Sequence, residues 1–88
     1  MPRYFFDIKD GRDIPDLEGS EHADLNAARL EAVRYSGEVL REMPEQFWHA
    51  EEWKMTVLDA KRAPIFLLTF CAKPLPTPLF KPVALHSG

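Results

Sequence analysis

A single amphipathic segment, from Asp24 to Met43, constrains the fold of this chain more than any other feature of its sequence. With the rotation of an α-helix, apolar and small residues fall along one line of the segment and charged residues gather on the opposite side. The line holds Leu25, Ala28, Ala32, Ser36, Val39 and Met43, and the opposite side holds Glu31, Arg34, Glu38, Arg41 and Glu42. This pattern predicts a helix that lies on a hydrophobic core.

The ends of the segment carry their own signals. Asp24 is a favourable N-cap because its carboxylate can accept from the free amides of the first turn. Pro44 ends the run because proline disfavours helical geometry in the residue before it. Two residues depart from the pattern: Gly37 costs about 1 kcal/mol relative to alanine in a helix interior, and Leu30 falls on the charged side.

The residues before the helix predict a β-hairpin. Tyr4, Phe5, Phe6 and Ile8 form an aromatic, β-prone run. Asp10-Gly11 follows, and this dipeptide favours a tight turn because glycine accepts a positive φ. The returning strand contains Pro15, which cannot donate to a ladder, so we expect it to be short or to lie at an edge.

The residues after the helix predict a second hairpin. Between Pro44 and Glu52 we expect an irregular loop or one helical turn. Residues 53–58 alternate like a half-buried strand, with Trp53 in the core. Residues 59–64 form the turn, and residues 65–70 form the most apolar strand, which we expect to lie at the centre of the sheet.

The predicted fold is therefore α+β, in the order β-β-α-β-β: a small antiparallel sheet with one helix packed on one face. We expect one domain over residues 1–70 and a proline-rich C-terminal arm or tail over residues 71–88. A domain this small buries only about 60% of its unfolded surface, so a partner that adds buried area would stabilise it.

Charge and hydropathy exclude some classes of function. The net charge is −3 and no run of lysine or arginine stands out, which disfavours nucleic-acid binding. The longest apolar run, residues 65–70, is too short to span a bilayer. The first residues, Met1 to Tyr4, lack the apolar core of a secretory signal. We therefore expect a cytoplasmic protein with no membrane partner, which a single cysteine also fits.

Few residues suggest chemistry. The acidic residues 10–22 could hold a divalent cation, but their spacing does not match a calcium-binding loop, and a solvated loop is the favoured interpretation. The histidines are scattered, and we expect Cys71, which follows an apolar strand, to be a small buried thiol. We predict no enzymatic activity, no catalytic residue, no metal and no cofactor.

Several apolar residues that no predicted helix or strand of the chain would bury indicate protein binding instead. The candidate interface comprises Phe47, Trp48, Leu75, Leu79 and Phe80. Aromatic residues beside a loop often supply binding energy at an interface. We predict a self-associating domain, most simply a homodimer that buries these residues.

The chain also resembles a family of short alphaproteobacterial proteins classed as a domain of unknown function. The residues that carry the resemblance are the start Met1-Pro2-Arg3-Tyr4-Phe5-Phe6, the turn Asp10-Gly11, the segment Asp16-Leu17-Glu18-Gly19 and the helix start Asp24-Leu25-Asn26-Ala27-Ala28. Family members commonly have a histidine after the paired phenylalanines, where this chain has Asp7. The resemblance covers residues 1–70 and implies a fold but no catalytic residues.

A weaker similarity leaves an alternative open. Pro15-Asp16-Leu17 and Gly19 follow the order hairpin, Pro-Asp-Leu segment and helix that is typical of the antitoxin half of a small toxin–antitoxin system. This similarity implies binding to a toxin. The alternatives to self-association are therefore an antitoxin-like partnership and a divalent-metal site on residues 10–22.

Overall fold

The computed structural model describes residues 1–76, which form five strands and two helices. The strands are β1 (Arg3–Lys9), β2 (Asp13–Ile14), β3 (Ser20–Glu21), β4 (Glu52–Leu58) and β5 (Pro64–Cys71), and the helices are α1 (Leu25–Glu42) and α2 (Pro44–Ala50). The strands build one antiparallel sheet, which α1 covers on one face. The predicted α+β class and the main β-β-α-β-β order are confirmed.

The sheet order is β2-β1-β4-β5, and β3 also pairs with β1. The two short strands share the outer edge of β1: β2 pairs opposite Ile8 and Lys9, and β3 pairs opposite Arg3 and Tyr4. The predicted short second strand is confirmed. The prediction that residues 65–70 form the central strand is wrong, because β4 lies between β1 and β5 while β5 forms an edge.

Pairing between β1 and β4 aligns the apolar face of the sheet. Phe6 lies opposite Val57, and Ile8 lies opposite Met55. These side chains point toward α1, since alternate residues of a strand share a face. The buried core consists of Tyr4, Phe6, Ile8, Ala28, Ala32, Phe47, Trp53, Met55 and Val57. The predicted core position of Trp53 is confirmed.

Helix α1 has the predicted face and ends. Ala28, Ala32 and Ser36 are its buried residues, and the Ser36 hydroxyl lies 3.5 Å from the sulfur of Met55 on β4. The carboxylate of Asp24 accepts from the Ala27 amide at 2.8 Å, as an N-cap does. Leu30 is exposed, as its position on the charged side predicts.

Helix α2 lies where the sequence predicts an irregular loop or one helical turn, and it is longer than one turn. It runs for seven residues from Pro44 to Ala50, and its C-cap, Glu51, has the left-handed conformation. Proline fits the first turn of a helix because that amide has no intrahelical partner. The segment is therefore a second, short helix, and its buried residue is Phe47.

The described part of the C-terminal arm has no helix or strand from Ala72 to Pro76. The Ala72 amide donates to the carbonyl of Glu51 at 3.3 Å, which ties the end of β5 to the start of β4. Leu79 and Phe80 lie outside the described residues. Among the residues that are described, no helix is long and apolar enough to cross a membrane.

Two glycines give a paired test of this fold. Gly19 has φ of +71°, and a methyl group there would lie 2.8 Å from the Phe5 ring and from the Tyr4 carbonyl. We expect Gly19→Ala to lower the free energy of unfolding by about 2 kcal/mol, because backbone strain and a steric clash add. Gly37 has nothing within 4 Å of such a methyl group, so Gly37→Ala should raise stability by about 1 kcal/mol. Urea unfolding measures both, and equal effects would contradict the placement of these residues.

Candidate functional site

Strand β5 is a long edge strand without charge. Its eight residues, PIFLLTFC, pair with β4 from Pro64 opposite Leu58 to Cys71 opposite Glu52, and its other side has no strand partner among residues 1–76. Edge strands of soluble proteins are usually short, charged or covered, because a free ladder of amides and carbonyls can pair with another chain. β5 has none of these protections within its own sequence.

The cover that α1 provides stops short of β5. Phe66, Leu68 and Phe70 lie opposite Val57, Met55 and Trp53, so they belong to the face that carries the helix. Val57 and Met55 are fully buried, whereas Phe66 and Leu68 are only half-buried and Phe70 is 53% exposed.

Two residues on one flank of α1 reach β5. The Arg29 guanidinium lies 5.4 Å from the centre of the Phe66 ring, in a cation–π contact. Leu40, on the same flank, lines a groove with Phe70. Val33 lies between these two residues on the helix surface, and it remains exposed. The flank of α1 above β5 is therefore an open apolar surface.

A groove of about 420 Å³ lies at the C-terminal end of β5, between α1 and α2. The Phe47 ring forms its floor, 5.0 Å from the Phe70 ring and 5.3 Å from the Trp48 ring. Trp48 is 64% exposed. The groove is lined by Leu40, Arg41, Pro44, Phe47, Trp48, Phe70, Cys71 and Ala72.

The structure separates the sequence-predicted interface residues. Phe47 is buried in the core, whereas Trp48 is exposed at the rim of the groove. Leu75 is exposed, and Leu79 and Phe80 lie outside the described residues. Cys71 is exposed, so the prediction of a buried thiol is wrong. Cys71 is the last residue of β5, an edge strand, and its side chain faces solvent.

In the acidic segment, residues 10–22, the carboxylates of Asp10 and Asp16 accept hydrogen bonds from other groups of the chain. Asp10 is buried and binds the guanidinium of Arg12 through both carboxylate oxygens, at 3.1 and 2.8 Å. The carboxylate of Asp16 accepts from the amides of Phe6 and Gly19, at 3.1 and 2.9 Å. Within residues 1–76, no three metal-ligating side chains gather in an arrangement that could hold an ion. These bonds organise the segment around the first hairpin.

Arg62 completes a clasp with this segment that the sequence does not reveal. Its guanidinium donates to Asp7 at 2.6 Å and to the Asp16 carbonyl at 3.2 Å, and it lies 4.8 Å from the centre of the Phe5 ring. Asp7 also accepts from the Asp16 amide at 2.8 Å. Asp7 thus ties residues 16–19 and the β4–β5 turn to β1. No local pattern connects Arg62 to Asp7, which lie 55 positions apart.

Ser20 and His22 are a side-chain pair with the atoms of a nucleophile and a base. The Ser20 oxygen lies 2.9 Å from Nε2 of His22. The histidine ring also packs edge-on against Phe6, 5.6 Å between centres. The spacing of two residues places both side chains on one side of an extended segment, and this signal was available in the sequence. Ser20 is exposed on β3 and His22 follows the strand half-buried, so the pair fits a local hydrogen bond.

A family model described as "Domain of unknown function (DUF6894)" matches residues 3–71 of the chain. The chain belongs to this family. The match begins at the first residue of β1 and ends at the last residue of β5, so the family unit coincides with the sheet and its helices. No curated protein and no solved structure matches the chain.

The contribution of the Asp10 charge to stability can be tested by its dependence on pH. Hydrogen bonds from the Arg12 guanidinium hold the pKa of this buried carboxyl below its ordinary value of 3.8. A carboxyl whose pKa is lower in the folded state stabilises the protein above its unfolded pKa, and the stabilisation is lost as pH falls through the folded pKa. Asp10→Asn should therefore lower the free energy of unfolding near neutral pH by about 1 kcal/mol, since Arg12 is partly solvated.

The difference between Asp10→Asn and the native protein should shrink as pH falls below the aspartate range. Urea unfolding at several pH values measures it. A constant difference at all pH values would show that the Asp10 charge does not contribute.

Asp16 gives a test of the side-chain bonds that organise residues 16–19. Asp16→Ala leaves the partly buried amides of Phe6 and Gly19 without their acceptor, and each such loss costs about 1 kcal/mol or more. Asp13→Ala is the matched control, because Asp13 is exposed and lies 3.7 Å from Lys9 in a surface ion pair worth little. Thermal unfolding should separate the two variants clearly, and equal midpoints would contradict the role of Asp16.

Proposed function

We propose that this domain is a binding module without catalytic activity, and that it binds a second copy of itself. The observation that carries the proposal is the apolar face of β5 that α1 covers only in part. This face ends in the groove at Phe47, Trp48 and Phe70. Exposed apolar surface of this kind is typical of sites of protein association.

The composition of the surface supports a protein partner. Trp48 stands at the rim of the groove, and its neighbour Phe70 is more than half exposed. Tryptophan and other aromatic residues supply much of the binding energy in protein interfaces. β5 carries no charge, so association there removes no ionised group of the strand from water.

A second copy is a sufficient partner on physical grounds. Homodimers with two-fold symmetry are the commonest oligomers, because one surface serves both copies. A domain of this size also gains stability from the area that a partner buries. The cytoplasm remains the compartment that we propose for the dimer, because a lone exposed thiol is compatible with reducing conditions.

Sedimentation equilibrium on the full chain over a range of micromolar concentrations tests the proposal. We expect a reversible monomer–dimer equilibrium, and Trp48→Gln should weaken it because the variant removes a large exposed aromatic side chain. Leu17→Gln is the control, since Leu17 is exposed on the loop that precedes β3, and it should leave the equilibrium unchanged. A native chain that stays monomeric throughout would contradict the proposal.

A further inference from the structure

We infer that two copies join through β5, which pairs with β5 of the other copy in antiparallel fashion about a two-fold axis at Leu68. The sheets then continue across the interface into one, with both α1 helices on the same face. This inference rests on the proposed self-association and specifies its geometry.

The backbone of β5 is the strongest argument. An eight-residue strand is about 26 Å long and presents alternate amides and carbonyls to its free side. Pro64 stands at its first position, where it removes no bond from the middle of the ladder. The one irregularity in its pairing with β4 lies at Val57 and Leu58, at the turn end. The centre of the strand is therefore regular and ready to pair.

The opposite edge of the sheet has no strand as long and regular as β5. β2 has two residues and is followed by Pro15, and β3 also has two residues. Arg3 on β1 binds the Glu18 carbonyl and the Glu21 carboxylate, which covers the outer side of β1 near β3. Within the described chain, β5 is thus the edge with the length and the composition for strand addition.

The side chains of β5 are complementary to themselves when the two-fold axis passes at Leu68. A two-fold axis perpendicular to the sheet keeps each face on its own side, so each residue must lie opposite a residue of the same face. With the axis at Leu68, the two Leu68 side chains meet, and Phe66 of each copy lies opposite Phe70 of the other. Aromatic and apolar pairs of this kind stabilise neighbouring strands.

The ends of the strand also match. Arg29 lies over Phe66 at one end of β5, and Trp48 lies near Phe70 at the other end. The antiparallel arrangement brings Trp48 of each copy toward Arg29 and Phe66 of the other. A cation near the face of an aromatic ring is a favourable contact, so Arg29 has a suitable partner in Trp48 of the other copy.

The size of this surface sets the expected affinity. Trp48 is 64% exposed and Phe70 is 53% exposed, and an aromatic residue buries about 150–250 Å² in total. Together with Leu67 and the strand edge, the contact falls at the low end of specific interfaces, roughly 1,200 Å² over both copies. We therefore expect a micromolar dimer.

Amide hydrogen exchange of the full chain tests the pairing directly. In the monomer, alternate amides of β5 bond to β4 and the others face solvent, so protection should alternate along the strand. At concentrations above the dissociation constant, the solvent-facing amides between Ile65 and Phe70 should slow by about tenfold or more, because each becomes bonded in the dimer. If the chain dimerises while these amides continue to exchange as fast as in the monomer, the β5 pairing is wrong although self-association stands.

A charge introduced on β5 tests the pairing independently of hydrogen exchange, through the dissociation constant of the dimer. Leu67 is 59% exposed, so Leu67→Lys should leave the monomer folded while it places a charge in the interface of each copy. We expect it to raise the dissociation constant by about tenfold or more, since a single charge on an edge strand opposes pairing. The control, Leu17→Lys, makes the same change at a residue 85% exposed and away from β5, and should stay within about twofold.

The outcomes separate the two proposals. A native chain that remains monomeric overturns both self-association and the β5 pairing. A dimer that Leu67→Lys leaves unchanged overturns the β5 pairing alone. Circular dichroism of both lysine variants confirms that any loss of the dimer does not come from unfolding.

Discussion

The fold depends on one close contact, the packing of the small-residue stripe of α1 against the middle of the sheet. Ala28 and Ala32 are almost wholly buried, and Ser36 touches Met55 on the central strand. Small side chains let the helix approach the sheet closely, which buries β1 and β4 completely on that face. One helix is too narrow to cover the next strand as well, and β5 remains half-covered.

This constraint explains both the success and the failure of the sequence predictions for the second hairpin. The alternation around Trp53 marks a half-buried strand, because one face of β4 meets the helix and the other does not. The continuous apolar run of residues 65–70 is typical of a strand buried on both sides. A strand that is completed by another copy has the same composition, so apolarity alone does not distinguish a central strand from an edge strand. In the dimer that we propose, β5 becomes one of the two middle strands of an eight-stranded path, and its composition suits that position.

Local signals predicted the local structure well. The N-cap at Asp24, the turn at Gly11 and the break at Pro44 each act within a few residues of their own position. Helix α2 was predicted only as one of two alternatives, a single helical turn, because seven residues are too few to show a helical period, although Pro44 at its start is a typical first-turn residue. The clasp of Arg62 with Asp7 and Asp16 could not be predicted, since it joins residues brought together only by the pairing of β1 with β4. Asp10 and the side chain of Asp16, by contrast, make their bonds within residues 6–19, to the Arg12 guanidinium and to backbone amides.

The central claim is that the uncovered side of β5 is the surface where a second copy binds. Isotope-filtered NMR on an equal mixture of labelled and unlabelled full-length chain, at a concentration where dimer is present, tests this most directly. We expect contacts between copies from backbone protons of β5 to those of β5, with Phe66 near Phe70 and Leu68 near Leu68. Contacts between copies that map instead to β2, β3 or the charged face of α1 would contradict it.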